Sequence, residues 1–171
     1  MSKCHKMKTN SKHPFSPIVF SNTKVLILGT FPSLKSFENN FYYAHPRNQF
    51  WKILEKIFDL PITTKSEKIA LCKIKKIGLW DVCQSVDRAS SNSSDTNLTN
   101  ITPNDISTLL KAYPHIKTIL FTGKKAQSLY KKHFDTLAIN TMLLPSPSPA
   151  YASVSIEEKT RTYQNCFLSI F

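Results

Sequence analysis

The chain of 171 residues is long enough for one domain that buries roughly two-thirds of the surface its unfolded form exposes. Against 11 Asp and Glu stand 23 Lys and Arg, a formal charge of +12, which favours a polyanionic partner, although a lysine-rich coding bias produces the same balance. No stretch reaches the ~20 apolar residues of a membrane span, the first eighteen residues lack a signal peptide's apolar core, and Cys4, Cys72, Cys83 and Cys166 show no metal-ligand spacing, which argues against membrane, secreted, zinc and iron–sulfur proteins. The expectation is a cytoplasmic monomer with no metal and no cofactor, in which residues 1–18 form a basic, flexible tail and residues 19–171 a single domain.

From Lys24 the run KVLILG, stopped by Gly29, reads as a buried strand. The following TFPSLKSFENN reads as a loop. PRNQFWKILEKIF, from Pro46, sets Phe50, Trp51, Leu54, Ile57 and Phe58 at helical spacing, with Pro46 in the first turn and Asp59 to Pro61 at the end. Asn48 then falls near the helix start, with Phe50 and Trp51 directed to the core. KSEKIALCKIKKI, 65–77, predicts a basic helix, GLWDVCQSV a strand or short turn, and DRASSNSSDTNLTN a polar loop. A helix is predicted to open at Thr102, with Pro103 first, Asp105 in the first turn, and Ile106, Leu109 and Leu110 on one face. IKTILFTG, 116–123, is a second buried strand, Gly123 opens the helix KKAQSLYKKHF, and INTMLLPS from Ile139 is a third strand. Ser155 and Glu158 form a capping box for the last helix. Strands alternating with helices predict an α/β fold with a mainly parallel central sheet. In such sheets ligands bind outside the carboxyl ends of the strands, so the loops GTFPS, TGKKA and LPSPSPAY are expected to converge.

The stretch FYYAHPRNQFW, 41–51, crowds aromatic rings against His45, Arg47 and Asn48, a mixture unlike that of a helix start that only packs a core. LILGTFPS, YYAHPRNQFW and LPSPSPAY, in that order, resemble motifs of the uracil-DNA glycosylase superfamily, and most of all its hypoxanthine-DNA (deoxyinosine) glycosylase branch. GLWDVCQSVDRASSNSSDTNLTN, PNDI and ILFTGKKA are similar to that branch as well, so the resemblance covers about residues 20–170.

The resemblance implies a three-layer α/β/α fold with a central four-stranded, mainly parallel sheet. It also implies a monofunctional glycosylase that acts on damaged DNA, flips out a deaminated base and hydrolyses its N-glycosidic bond. Such a base needs a snug pocket with an aromatic face and amide hydrogen bonds. By resemblance Tyr43 is the stacking aromatic, Asn48 the catalytic residue, and Gly29, Thr30, Phe31 and His45 further base-binding positions. An Asn carbonyl can orient the attacking water and its amide can donate to the base. Because the transition state is oxocarbenium-like, positioning carries the rate without a proton-abstracting carboxylate. A cap on the helix start is the structural alternative for Asn48. His45 is suited to donating to the base or a phosphate, or to pinning its own loop.

Two positions depart from the uracil enzymes. Phe31 stands where their first motif carries a water-activating Asp or Asn, and Leu144 where their second opens with a hydrogen-bonding His or Asn. Both argue against robust uracil excision. The stiff loop with Ser146, Pro147 and Ser148 is suited to pinching a DNA backbone, with Tyr151 a candidate to fill the gap left by the base. Arg47, and Lys124 and Lys125 at a helix start after Gly123, are candidate phosphate contacts. Asp81 reads as a structural hydrogen-bonder at the sheet edge, Asp81 and Asp87 as an imaginable carboxylate pair, and Asp95 as part of a loop similar to the family's. A uracil or mismatch-directed glycosylase, and a basic nucleic-acid-binding module without turnover, remain the other readings.

Overall fold

The structure, a computed structural model, describes residues 8–89 and 98–171. Its first element is a short strand, Lys8–Lys12 (β1), and its second is the apolar run Val25–Gly29 (β2), every residue of which is buried. Leu34–Asn39 (α1), Phe50–Phe58 (α2) and Lys65–Ile74 (α3) lead to the strands Ile77–Asp81 (β3), Cys83–Ala89 (β4) and Thr99–Pro103 (β5). Ile106–Ala112 (α4), Thr118–Thr122 (β6), Lys124–Phe134 (α5), Asn140–Leu144 (β7) and Ile156–Ile170 (α6) complete the chain.

Four of the strands form a parallel sheet in the order β3-β2-β6-β7. Side chains alternate across it, as a strand's period of two requires. Val25, Ile27, Leu79 and Leu120 face one core with α2, α3 and α6, which supply Ile53, Leu54, Leu71, Tyr163 and Phe167. Leu26, Leu28, Ile119 and Phe121 face the other, with Ile106 and Leu109 of α4 and Ala126, Leu129 and Tyr130 of α5. Helices thus cover both faces, the three-layer α/β/α arrangement. Each fully buried Leu or Ile in these layers stabilises the fold by about 1.5–3 kcal/mol. Cys72, Cys83 and Cys166 form no disulfide. Burial pushes the Cys72 thiol up to about 12.

Several expectations need correction. The segment taken as a flexible tail is, from Lys8 onward, part of the domain: β1 pairs antiparallel with β4, and Ile18 bridges to Leu79. With β5 these strands form a second sheet, order β1-β4-β5. The helix expected from Thr102 begins instead at Ile106. Thr99–Pro103 pairs with β4, and Asp105 caps α4 by accepting from the Thr108 amide. The helix expected from Pro46 begins at Phe50. The Asn48 amide donates to His45 O at 2.9 Å, so Pro46 and Arg47 form the corner of a turn. The loop after Gly29 contains α1, capped by Ser33. The capping box of Ser155 and Glu158 is present as read, and a second joins Thr64 and Glu67. Asp95 and Cys4 lie outside the described residues.

Candidate active site

The chain leaves β2 toward β3 on one side and returns to β6 on the other, so the sheet's topological switch lies between β2 and β6. A cleft of about 500 Å³ opens there, at the carboxyl ends of the strands. Register builds its floor, because Gly29 is paired with Asp81, and Thr122 ends β6 beside Leu144 of β7.

Gly29 is needed for close approach. A Cβ there would lie 2.5 Å from Asp81 Oδ1, 3.2 Å from the Tyr43 hydroxyl and 3.5 Å from Thr122 Oγ1. These three polar groups therefore meet over a residue that has no side chain to separate them. Thr122 donates to Leu28 O at 3.4 Å, which leaves its oxygen to accept from the Tyr43 hydroxyl at 3.2 Å. Tyr43 has a left-handed backbone, φ 53°, a conformation that for a non-glycine residue costs of order 1–3 kcal/mol and clusters at functional sites. Its ring stacks on buried Phe50, centroids 3.9 Å apart and planes 20° from parallel.

Asn48 lies on the cleft wall, and its Oδ1 accepts from the Phe50 amide at 2.9 Å. The capping role is thus real, and it also aims the group. With Oδ1 tied to the first amide of α2, Nδ2 has no partner among the described residues and a second Oδ1 lone pair is open. His45 works similarly. Its Nδ1 accepts from the Arg47 amide at 3.1 Å, so the neutral ring carries its hydrogen on Nε2 as a donor at the cleft.

The opposite wall is the loop 145–151. The hydroxyls of Ser146 and Ser148 accept from the amides of Ser148 and Ala150, both at 3.2 Å, and keep their own hydrogens to donate. Pro147 O accepts from the Gln49 amide at 2.9 Å, and Pro145 O from the Tyr163 hydroxyl at 3.0 Å. Lys159, only 1% exposed, donates to Gln49 Oε1 at 2.9 Å and Tyr151 O at 2.8 Å. One ammonium therefore joins the approach to α2, this loop and α6, and burial pushes it below the usual lysine range. Gly123, φ 127°, brings β6 against Ser146: a Cβ there would lie 3.5 Å from the Ser146 Cβ.

The cleft thus gathers Gly29, Thr30, Phe31, Tyr43, His45, Asn48, Ser146, Pro147, Ser148 and Tyr151. Arg47, Lys124 and Lys125 are exposed and do not line it, and Leu144 is buried beneath it. Phe31 is 8% exposed, with the Arg88 guanidinium 5.2 Å from its ring centroid and donating to Pro32 O at 2.8 Å. Asp81 and Asp87 do not form a pair. Asp87 lies half-buried on β4, where hydrogen bonds from Asn10 and Asn100 hold its carboxyl below the usual range. Asp81 does more than brace the sheet edge: it lines the cleft and meets His13 Nε2 at 2.7 Å. Lys159 and His13 are residues that sequence reasoning missed, whereas Thr122, the first residue of the loop TGKKA, lines the cleft. For Lys159 a signal exists, since Lys159, Tyr163 and Phe167 recur every four residues along the buried stripe of α6. Among the described residues no group of three or more His, Cys, Asp or Glu is placed to hold a metal ion, and no helix is long and apolar enough to cross a membrane.

A parallel sheet covered by helices on both faces, with a cleft at its switch point, defines a three-layer α/β protein. Residues 17–169 match the model of the uracil DNA glycosylase superfamily, and the chain belongs to that superfamily. It is 35% identical over 141 residues to a protein of Methanosarcina barkeri named hypoxanthine DNA glycosylase, covering 81% of this chain and 87% of that one. A protein of the same name from Methanosarcina acetivorans is 33% identical over the same shares. A solution NMR structure of a candidate uracil DNA glycosylase from Methanosarcina acetivorans superposes with a TM-score of 0.80 at 29% identity, covering 95% of this chain and 99% of that one.

Proposed function

We propose that this chain is a monofunctional DNA glycosylase that extrudes a deaminated base, hypoxanthine foremost, hydrolyses its N-glycosidic bond and leaves an abasic site. The observation that carries the reading is the Asn48 amide, fixed by the first amide of α2 on the wall of a cleft floored by Tyr43 and Asp81. The named relatives support hypoxanthine as the base.

In this reading the extruded base lies on Tyr43, itself backed by Phe50, so that it joins an existing stack. Asn48 Oδ1 orients a water toward C1′ through its open lone pair. As the C1′–N9 bond breaks, the sugar becomes oxocarbenium-like and the base leaves with the bonding pair, stabilised by donors such as His45 Nε2–H and Asn48 Nδ2. Water then bonds to C1′, and its proton passes to the departing base. Asp81 Oδ1 supplies discrimination. Deamination turns a ring-nitrogen acceptor into an N–H donor, at N1 for adenine to hypoxanthine, so a carboxylate oxygen accepts from the deaminated base and repels the lone pair of the parent. Ser146 and Ser148 donate to a phosphate, and Arg47, Lys124 and Lys125 extend the contact along the backbone. Three thiols in no disulfide suit a reducing cytoplasm.

The test is Asn48→Ala. Release of hypoxanthine from a deoxyinosine duplex is expected to fall by more than about 100-fold, as for loss of a transition-state donor, while duplex affinity stays within a few-fold. A variant as fast as the parent would remove Asn48 from the chemistry.

A further inference from the structure

We propose that His13 is a positioning residue for base recognition, which makes the strand β1 and the turn behind it part of the working site. The inference rests on reading Asp81 Oδ1 as the acceptor for a ring N–H.

Asp81 is 4% exposed and has two unlike oxygens. Oδ2 meets His13 Nε2 at 2.7 Å, whereas Oδ1 has no partner among the described residues and points at the space over Gly29, on the cleft floor. His13 Nδ1 lies 2.9 Å from Phe15 O and 3.2 Å from the Phe15 amide. An imidazolium donates to that carbonyl, and a neutral ring accepts from that amide. Beside an ionised Asp81 either state puts a hydrogen on Nε2, aimed at Oδ2. The ring has little room to turn, because Phe15, Phe31 and Tyr42 surround it with centroids 5.4, 6.0 and 6.0 Å away. Its backbone is held too: the His13 amide donates to Gln84 O at 2.6 Å, continuing the ladder that pairs Lys12 with Ser85.

A carboxylate with one occupied oxygen has a defined orientation. Without the His13 donor, Asp81 would be free to rotate both oxygens between the cleft and the aromatic wall. A buried polar pair adds little net stability compared with a hydrophobic one. The open Oδ1 instead gives this one a use in the cleft.

The experiment measures single-turnover release of hypoxanthine from a deoxyinosine duplex by the full chain, with duplex affinity alongside. His13→Phe keeps an aromatic ring but no donor, and His13→Gln keeps an N–H of similar reach. His13→Phe is expected to lower the rate by about 100-fold with affinity within a few-fold, and His13→Gln to regain at least tenfold of that loss. In an Asp81→Asn chain, His13→Phe should add little, because His13 acts through Asp81. If phenylalanine unfolds the chain, His13→Asn, polar but too short to reach Oδ2, gives the same comparison. An unchanged rate, no recovery with glutamine, or an equal further loss in the Asp81→Asn chain overturns the proposal. A fully active Asp81→Asn chain removes the acceptor role itself, and a parent chain that releases no hypoxanthine removes the functional reading beneath both.

Discussion

Lys159 is a cation that meets no carboxylate among the described residues: its partners are the neutral oxygens of Gln49 and Tyr151. Truncating it would leave two acceptors unpaired, each costing about 1–3 kcal/mol when buried, against which stands the relief of not burying an ammonium. We expect Lys159→Met to lower the unfolding free energy by about 1–3 kcal/mol in urea, and to slow base release as the ammonium link between Tyr151 O and the Gln49 side chain is lost. Unchanged stability and turnover would show that the Gln49–Pro147 and Tyr163–Pro145 hydrogen bonds suffice to hold the loop. Tyr43 and Asn48 are legible in the sequence because they lie five positions apart in one motif, within which Asn48 Oδ1 reaches the Phe50 amide. The Asp81–His13 contact spans 68 positions and depends on two strand registers, so no local pattern announces it.

The strands and helices that frame the cleft differ in how plainly they are written. β2 and β6 are apolar runs bounded by glycine, and α6 opens on a capping box, so local chemistry alone specifies them. β1 reads KTNSK and β5 reads TNITP. Neither shows the alternation of a half-buried strand, and each exists because β4 offers a partner. In the same way Pro46 is as suited to the corner of a turn as to the first turn of a helix, and the His45–Asn48 hydrogen bond decides for the turn. Since β1 carries His13 to Asp81, a chain beginning at Val19 should melt at lower temperature than the full chain and release hypoxanthine at least tenfold more slowly. A truncated chain with full activity would return residues 8–18 to the role of a dispensable tail.

Across the whole molecule, topology and charge act together. The switch point between β2 and β6 puts the cleft at one end of the sheet, where Asn48, Tyr43 and the serine loop converge. The charge of +12 supplies attraction to a polyanion before any base is read. Among the described lysines only Lys35 and Lys56 form ion pairs with a carboxylate. Arg47, Lys124 and Lys125 are exposed, on segments that border the cleft. Attraction to the backbone is indifferent to sequence, so selectivity has to come from the cleft, and a base-release assay addresses it most directly. Duplexes carrying a single deoxyinosine, uracil, xanthine or adenine at one position are incubated with the full chain and then treated with alkali to cut any abasic site. Cleavage at deoxyinosine, weak or absent at uracil and absent at adenine, with none before alkali, is the expected result. Preferential release of uracil, or no release from any of the four, would contradict it.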